Sequence, residues 1–381
     1  MTSVTLCVMT KNEEQYLGRC LESALDAVDE LVVVDTGSSD RTIEIAKSYT
    51  DKVGVATLGG DFARARNVAL DLVTSDWVVY IDADEQFTPE SANRLRDVIS
   101  TQPIDVHALT FIRVHFFVSG GFSIDQPVRA FRSMPHIRYE NPIGESVIPA
   151  VTRAGGRSQP VDVTINHFGH LRPRNVREMK AKWYESLLRS RISSEGENAD
   201  LLCKLAMVIK KLGLLDAADQ LTERAVVLDP DDAGAHLTRG QILRGMDRAD
   251  EALWHLESAT ELDPQNARAW SMLGLVQLSQ GSHDAAEASF LRSMHCDPRY
   301  RHVEINLGVL DQIRGRWHSA LERLERVADI NPGFLHEFWP PKLEYDPFAH
   351  LDHECVPRFA GLPYHLAVCR QQTGQQPISG R

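Results

Sequence analysis

Four Asx-Pro pairs stand 34 residues apart in the second half of this chain: Asp229-Pro230, Asp263-Pro264, Asp297-Pro298 and Asn331-Pro332. Small residues keep the same phase. Ala218, Ala252, Ala286 and Ala320 lie 12 before each proline, and Ala206, Gly240, Gly274 and Gly308 lie 24 before. Between them Leu256, Phe290 and Leu324 lie eight before theirs. The pattern predicts a helix, a short turn, a second helix and a stop, with small residues where the helices approach. Proline ends each unit, and the Asp or Asn before it suits a turn or cap. One such pair cannot bury its apolar face alone, so the units must stack into an array.

This array resembles the tetratricopeptide repeat, at 199–232, 233–266, 267–300 and 301–334, within a second domain spanning 186–334. Trp270 fills a large position of that repeat, whereas His236 and Glu304 stand where a large apolar residue is usual. The array is expected to serve as a scaffold or homodimer surface, or as a groove for a peptide acceptor. Residues 335–381 are read as a C-terminal cap and polar tail. The aromatic, proline-rich stretch 334–348 would cover the last repeat or offer a partner strip, and 371–381 would be disordered.

Residues 1–185 read differently. Short β-branched runs alternate with helical stretches: strands at Val4–Met9, Leu31–Val34, Val53–Thr57 and Trp77–Ile81, and helices at Glu13–Ala27, Arg41–Tyr49, Phe62–Leu72 and Pro89–Ile99. Ser39 or Asp40 is expected to cap the second helix. The alternation predicts an α/β domain with a Rossmann-like parallel sheet, whose ligands sit beyond the carboxyl ends of the strands. Those ends are polar and mostly acidic: Thr10–Glu13, Asp35–Asp40, Asp61–Asn67 and Asp82-Ala-Asp84-Glu85. No glycine-rich dinucleotide turn or P-loop is present. An acidic rim calls instead for a divalent cation. Asp82 and Asp84, two apart at a strand end, can both reach one ion, and hard oxygen ligands favour Mn²⁺ or Mg²⁺.

Composition narrows the partners. The net charge is -12 and no segment forms a basic arm, so nucleic acid is excluded as the main ligand. No apolar run approaches transmembrane length, and the N-terminus lacks the features of a signal peptide. Six widely spaced cysteines, without a CxxC pair, fit a reducing cytoplasm.

The series TKNEE (10–14), VVVDTGSSDRT (32–42), DFARARNVAL (61–70) and SDWVVYIDADE (75–85) resembles the inverting family-2 glycosyltransferases of GT-A fold. Within them it is similar to the branch with tetratricopeptide repeats, which includes peptide S-glycosyltransferases and lipopolysaccharide-core-type transferases. The resemblance implies transfer of a hexose or N-acetylhexosamine from a UDP-sugar, with Mn²⁺ or Mg²⁺, to a peptide or protein side chain or a saccharide. It implies that Thr10 and Glu13 line the nucleotide pocket and that Asp35 binds the uracil or its ribose. Asp61 and Arg66 would lie near base and phosphates. Asp82 and Asp84 would form the D-x-D motif, with Asp84 the direct metal ligand.

Asn166-His167-Phe168-Gly169 is similar to the family's late His-aromatic-Gly segment, which places His167 at the metal or diphosphate; alternatively His167 merely closes a strand. For the base, relatives carry a His-Glu pair after R-x-F and an aromatic residue. Here Arg129-Ala-Phe-Arg132 and Tyr139 precede Gly144-Glu145, so Glu145 is the expected base, Asp125 the alternative, and Gly144 a departure. Residues 172–182, with five basic side chains, form either a solvated joining helix or a patch facing the diphosphate, an acidic acceptor or a membrane surface. The rivals are a repeat adaptor with a vestigial sugar domain and a hydrolase-like use of the metal.

Overall fold

The computed structural model describes residues 2–116, 122–298, 300, 302–330 and 362–374. The expected cap at 334–348 lies outside them. The chain divides into two units, one of 1–116 with 124–169 and one containing 170–381, so the long helix after residue 173 groups with the second unit.

The first unit is built on a nine-stranded sheet: β1 (Val4–Thr10), β2 (Glu30–Asp35), β3 (Val53–Val55), β4 (Trp77–Asp82), β5 (Glu85–Phe87), β6 (Val106–Phe116), β7 (Phe122–Asp125), β8 (Val128–Arg132) and β9 (Arg157–His167). Their order is β3-β2-β1-β4-β8-β6-β9-β5, with β7 beside β6. The first four strands run parallel; β1, β2 and β4 are apolar and buried along nearly their whole length, as strands inside a parallel sheet are, while the short β3 is its half-exposed edge. The parallel sheet expected from the strand–helix alternation is found in these four, and the strands that follow make the whole sheet mixed. β8 runs antiparallel to both β4 and β6, and β5 antiparallel to β9.

Helices α1 (Leu17–Glu22), α2 (Thr42–Tyr49), α3 (Phe62–Leu70), α4 (Pro89–Ser100) and α5 (Ile148–Arg153) complete this unit. Three expectations shift. The helix at 13–27 is shorter, beginning at Leu17 and giving way to a 3-10 turn at Leu25–Ala27. α2 has Arg41 at its cap position, and Asp40 bonds the Thr42 amide one residue further in. α3 is capped by Asp61, whose side chain accepts from the Arg64 amide. The main core cluster packs on one face of β1 and β4, with Leu6, Trp77, Ile81, Leu95 and Phe111 fully buried.

In the second unit α6 (Arg174–Glu195) precedes four antiparallel pairs: α7 (Ala199–Lys211) with α8 (Leu215–Leu228), α9 (Ala233–Gly245) with α10 (Ala249–Leu262), α11 (Ala267–Ser279) with α12 (His283–Cys296), and α13 (His302–Ile313) with α14 (Trp317–Ile330). The in-phase alanines and glycines are the contact points. A Cβ on Gly240, Gly274 or Gly308 would meet Leu256, Phe290 or Leu324, the large residue of its own repeat, within 3 Å. The two off-pattern polar residues are buried inside hydrogen-bond networks. Glu304 accepts from Arg323 and Arg326. His236 Nε2 lies 3.0 Å from the Pro230 carbonyl, as Trp270 Nε1 does from Pro264. The polar tail is corrected in part: Gln371–Thr373 end a further helix, α15 (Leu362–Thr373), tied to the array by Arg370–Glu325. No described helix is long and apolar enough to cross a membrane.

Candidate active site

Parallel pairing of β1, β2 and β4 sets their carboxyl ends side by side, with Thr10 opposite Asp35 and Met9 opposite Asp82. Four elements then crowd the end of β4. Arg66 comes from α3, Arg129 from β8, Arg113 from β6 and Glu145 from the loop before α5.

Asp82 is held by guanidinium groups. Arg66 Nη2 and Arg129 Nη2 each donate to it at 2.9 Å, and Arg113 lies 4.0 Å away. Burial would raise its pKa, but Arg129, Arg66 and Arg113 hold the carboxyl well below its usual range. Arg66 also donates through Nε to Glu145 at 2.8 Å. Its guanidinium stacks 4.3 Å from the centre of the Tyr80 ring and 5.4 Å from that of Tyr139. The expected base is therefore adjacent to the D-x-D motif through one shared arginine. Gly144 before it has φ +71°, a conformation that a histidine adopts only under strain.

Glu85, absent from the expected set, is fully buried beneath this layer. It accepts from Arg113 at 3.0 Å, Arg129 at 2.5 Å and the Asp82 amide at 2.9 Å. Asp125 accepts from Arg113 through both oxygens, at 2.8 and 2.5 Å, and lies 3.2 Å from His115 Nε2. Burial would raise Asp125, yet these partners hold it far below the carboxylate range. Such pairing does not suit the alternative base.

Asp84 is buried and lies 3.5 Å from His167 Nε2. The sheet register makes this pairing, because β5 sets Glu85 opposite His167. Gly169 closes the spot: a Cβ there would sit 2.6 Å from Asp84 Oδ2 and 2.7 Å from His167 Nε2. His115, the register partner of His167 across β6 and β9, brings its Nδ1 to 2.8 Å from His167 Nδ1.

Other expected residues are placed apart from this cluster or are occupied locally. Asp35 accepts from the Gly37 and Ser38 amides and the Ser38 hydroxyl, so it shapes its own loop. The Glu13 amide donates to Thr42, and its carbonyl starts α1. The Thr10 hydroxyl is buried without a hydrogen-bond partner among the described residues. Asp61 and Arg66 diverge. Asp61 caps α3 and lines a cavity of about 450 Å³ with Arg64, Asn67 and Tyr139, while Arg66 turns inward to Asp82. Residues the sequence reading missed are Glu85, Arg113, His115 and Arg129 in its ion-pairing role. Alternation along β6 puts Arg113 and His115 on one face, but nothing in the sequence says which strand that face meets.

The donor set fits a divalent cation. Ring nitrogens of His115, His167 and His170, one from each, lie within 4.8 Å of one another, with Asp84 beside His167, whereas Asp82, Glu85, Asp125 and Glu145 are taken up by three guanidinium groups. Asp84, in the turn between β4 and β5, and His167, at the end of β9, also converge on a spot that only glycine leaves open.

Residues 5–140 match the model of the glycosyl transferase family 2, and residues 237–300 match a tetratricopeptide repeat model. A TPR repeat-containing protein of Synechococcus elongatus is 33% identical over 226 residues, 58% of this chain and 55% of that protein. An uncharacterized glycosyltransferase of Rickettsia typhi is 30% identical over 131 residues, 34% of this chain and 43% of that protein. The SPbeta prophage-derived glycosyltransferase SunS of Bacillus subtilis is 31% identical over 98 residues, 25% of this chain and 23% of that protein. The chain thus spans about half the length, or less, of these relatives. It carries a glycosyl transferase family 2 domain at its N-terminus and tetratricopeptide repeats behind it.

Proposed function

We propose that this chain transfers a hexose or N-acetylhexosamine, with inversion, from a UDP-sugar to a peptide or protein side chain or to a saccharide. The observation that carries the reading is the linkage of Glu145 to Asp82 through Arg66, beside the Asp84–His167 pair. The preference for UDP rests on the resemblance to family 2, in which Thr10, Glu13, Asp35 and Asp61 serve the nucleotide.

Glu145 is the proposed base. Its Oε1 accepts from Arg66, and Oε2 has no hydrogen-bond partner among the described residues. That oxygen takes the acceptor's proton while the acceptor atom bonds to the anomeric carbon. The bond from that carbon to the diphosphate breaks, and UDP leaves with the electron pair. Asp84 and His167 would hold the cation, with Asp82 kept in place by its arginines. A divalent ion there offsets the charge gathering on the departing diphosphate. An oxygen-plus-imidazole set suits Mn²⁺ better than Mg²⁺, which prefers oxygen alone. The repeats supply a surface for a protein acceptor or a second copy of the chain. The complete charge cluster argues against a vestigial domain.

Calorimetry with a panel of nucleotide sugars, with Mn²⁺ and with chelator, tests this. Metal-dependent binding of a UDP-sugar, lost in Asp84→Ala, is expected. Glu145→Gln should keep donor binding and lose turnover with a candidate acceptor. No donor binding under either condition would overturn the reading.

A further inference from the structure

The proposed base sits on the loop from β8 to α5, and α3 holds that loop along its whole length. The Phe62 amide, at the start of α3, donates to the Pro142 carbonyl at 2.9 Å. Arg66 Nε donates to Glu145 at 2.8 Å. Just past the helix, Asp71 pairs with Arg138 at 3.0 Å. Between these, the Asn67 side chain makes both halves of a backbone pairing. Its Nδ2 donates to the Tyr139 carbonyl at 3.0 Å, and its Oδ1 accepts from the Tyr139 amide at 2.9 Å.

The Asn67 contact differs in kind from the others. The Phe62 amide belongs to the first turn of α3, whose donors find no partner inside the helix, so any well-placed carbonyl would serve it. The Asp71–Arg138 pair is exposed on both sides and is worth little. Asn67 instead matches one donor and one acceptor to a single residue. The Tyr139 amide can only donate and its carbonyl only accept, which fixes the orientation of the side-chain amide. Aspartate, of the same length, can accept but not donate.

From Tyr139 the constraint passes to Glu145. Glu140 and Ser146 form an antiparallel bridge, amide to carbonyl at 2.9 and 3.0 Å, which closes 141–145 into a loop. Asn141 and Gly144 turn the chain with φ of +69° and +71°. Pinning Tyr139 therefore fixes one side of the bridge, and Glu145 adjoins the other. The Tyr139 ring also flanks the Arg66 guanidinium that holds Glu145 Oε1. A cavity of about 450 Å³, lined by Asp61, Arg64, Asn67 and Tyr139, opens between α3 and the loop, so hydrogen bonds and not close packing set the loop's position there.

We infer that Asn67 is a positioning residue for the transfer: by pairing with Tyr139 it holds the loop so that Glu145 Oε2 stands where the acceptor loses its proton. This rests on the reading of Glu145 as base. Asn67 acts through the backbone and not on a reacting atom. A shift near 1 Å at a reacting centre costs about 10²-fold in rate. Asn67→Ala leaves both Tyr139 groups without their partner and frees the loop. Asn67→Asp keeps the size and the accepting half but sets a carboxylate against a carbonyl.

Hydrogen exchange read by mass spectrometry on the full chain, wild type against Asn67→Ala, tests the anchor without catalysis. We expect faster exchange over 138–146 and no change over β1, β2 and β4. UDP release from UDP-glucose and UDP-N-acetylglucosamine in Mn²⁺, with water as acceptor, tests the consequence. The water oxygen bonds to the anomeric carbon, its proton goes to Glu145, and UDP leaves with the electron pair. Asn67→Ala should lower turnover by about 10²-fold and leave the affinity for UDP unchanged, and Asn67→Asp should fall too. In Glu145→Gln, adding Asn67→Ala should lower turnover little further, because the two residues act as a unit. Additive losses would make Asn67 merely structural and overturn the inference. Unchanged exchange over 138–146, exchange raised throughout the sheet, or wild-type turnover in Asn67→Ala would do the same while the base reading stands. If Glu145→Gln turns over as wild type does, or wild type releases no UDP, the base reading itself falls, and the positioning role with it.

Discussion

His255 Nδ1 lies 3.1 Å from His236 Nδ1, and the protonation of both rings is dictated from outside the pair. Arg239 donates through Nε to His255 Nε2 at 3.0 Å, so that nitrogen must be a lone pair. His255 then donates from Nδ1 to His236, whose Nε2 donates to the Pro230 carbonyl in the role the Trp270 indole plays one repeat later. A ring nitrogen thus replaces an indole nitrogen, provided the histidines stay neutral.

Acid should therefore weaken the repeats. Burial, reinforced by Arg239 and His236, lowers the His255 pKa from 6.5 to about 4. The unfolded chain takes up this proton first, so the contribution is whole above pH 6.5 and is lost as pH falls from there toward 4. The full shift would correspond to about 3 kcal/mol, and solvent screening cuts the expected loss to about 1–2 kcal/mol. Urea midpoints at pH 7, 5.5 and 4.5 should fall more steeply for wild type than for His255→Asn. Parallel curves for the two proteins would refute the assignment.

Gly274→Ala should destabilise the third repeat more than Gly308→Ala does the fourth. Its Cβ would meet ring carbons of Phe290 at 2.6 Å, and a planar ring wedged between helices cannot yield. At Gly308 the obstacle is Leu324, at 2.9 Å and with more rotamer freedom. Overpacking of this kind costs about 1–3 kcal/mol. Thermal melts should rank the two variants, and Phe290→Leu should restore part of the loss in Gly274→Ala.

Arg66→Met should cost about 3–5 kcal/mol, because it strands Glu145 and removes one of the two guanidinium donors of Asp82, leaving that carboxylate to Arg129. Arg66→Lys keeps a charge but cannot span both carboxylates in the same plane, so its stability should be intermediate. Chemical denaturation would decide; a melt of Arg66→Met equal to wild type would show that the cluster contributes nothing to the fold.

Gly169→Ala should lower sugar transfer by about 10²-fold through displacement of Asp84 or His167, since shifts near 1 Å at a reacting centre carry penalties of that order. UDP release per enzyme, with circular dichroism to verify folding, is the measurement. Wild-type turnover in Gly169→Ala would mean that the Asp84–His167 pair takes no part.

The repeats were readable because their information is local. A 34-residue period with small residues in phase needs only helix geometry and close packing to become stacked pairs. The first four strands were equally plain, since apolar runs bounded by acidic turns have few other solutions, and they put Asp82 and Asp84 at a strand end. The partners of those carboxylates come from strands joined across long stretches of chain, and no periodicity reports such joins. Antiparallel β8 slips between β4 and β6 and delivers Arg129 to Asp82. Parallel β9 lies between β6 and β5 and sets His167 between His115 and Glu85. One helix turns Arg66 inward while Asp61 stays at its cap, although five residues separate them in the chain. Residue types and strand ends follow from local chemistry; which charges neutralise one another depends on register between distant strands, and only the assembled sheet sets that.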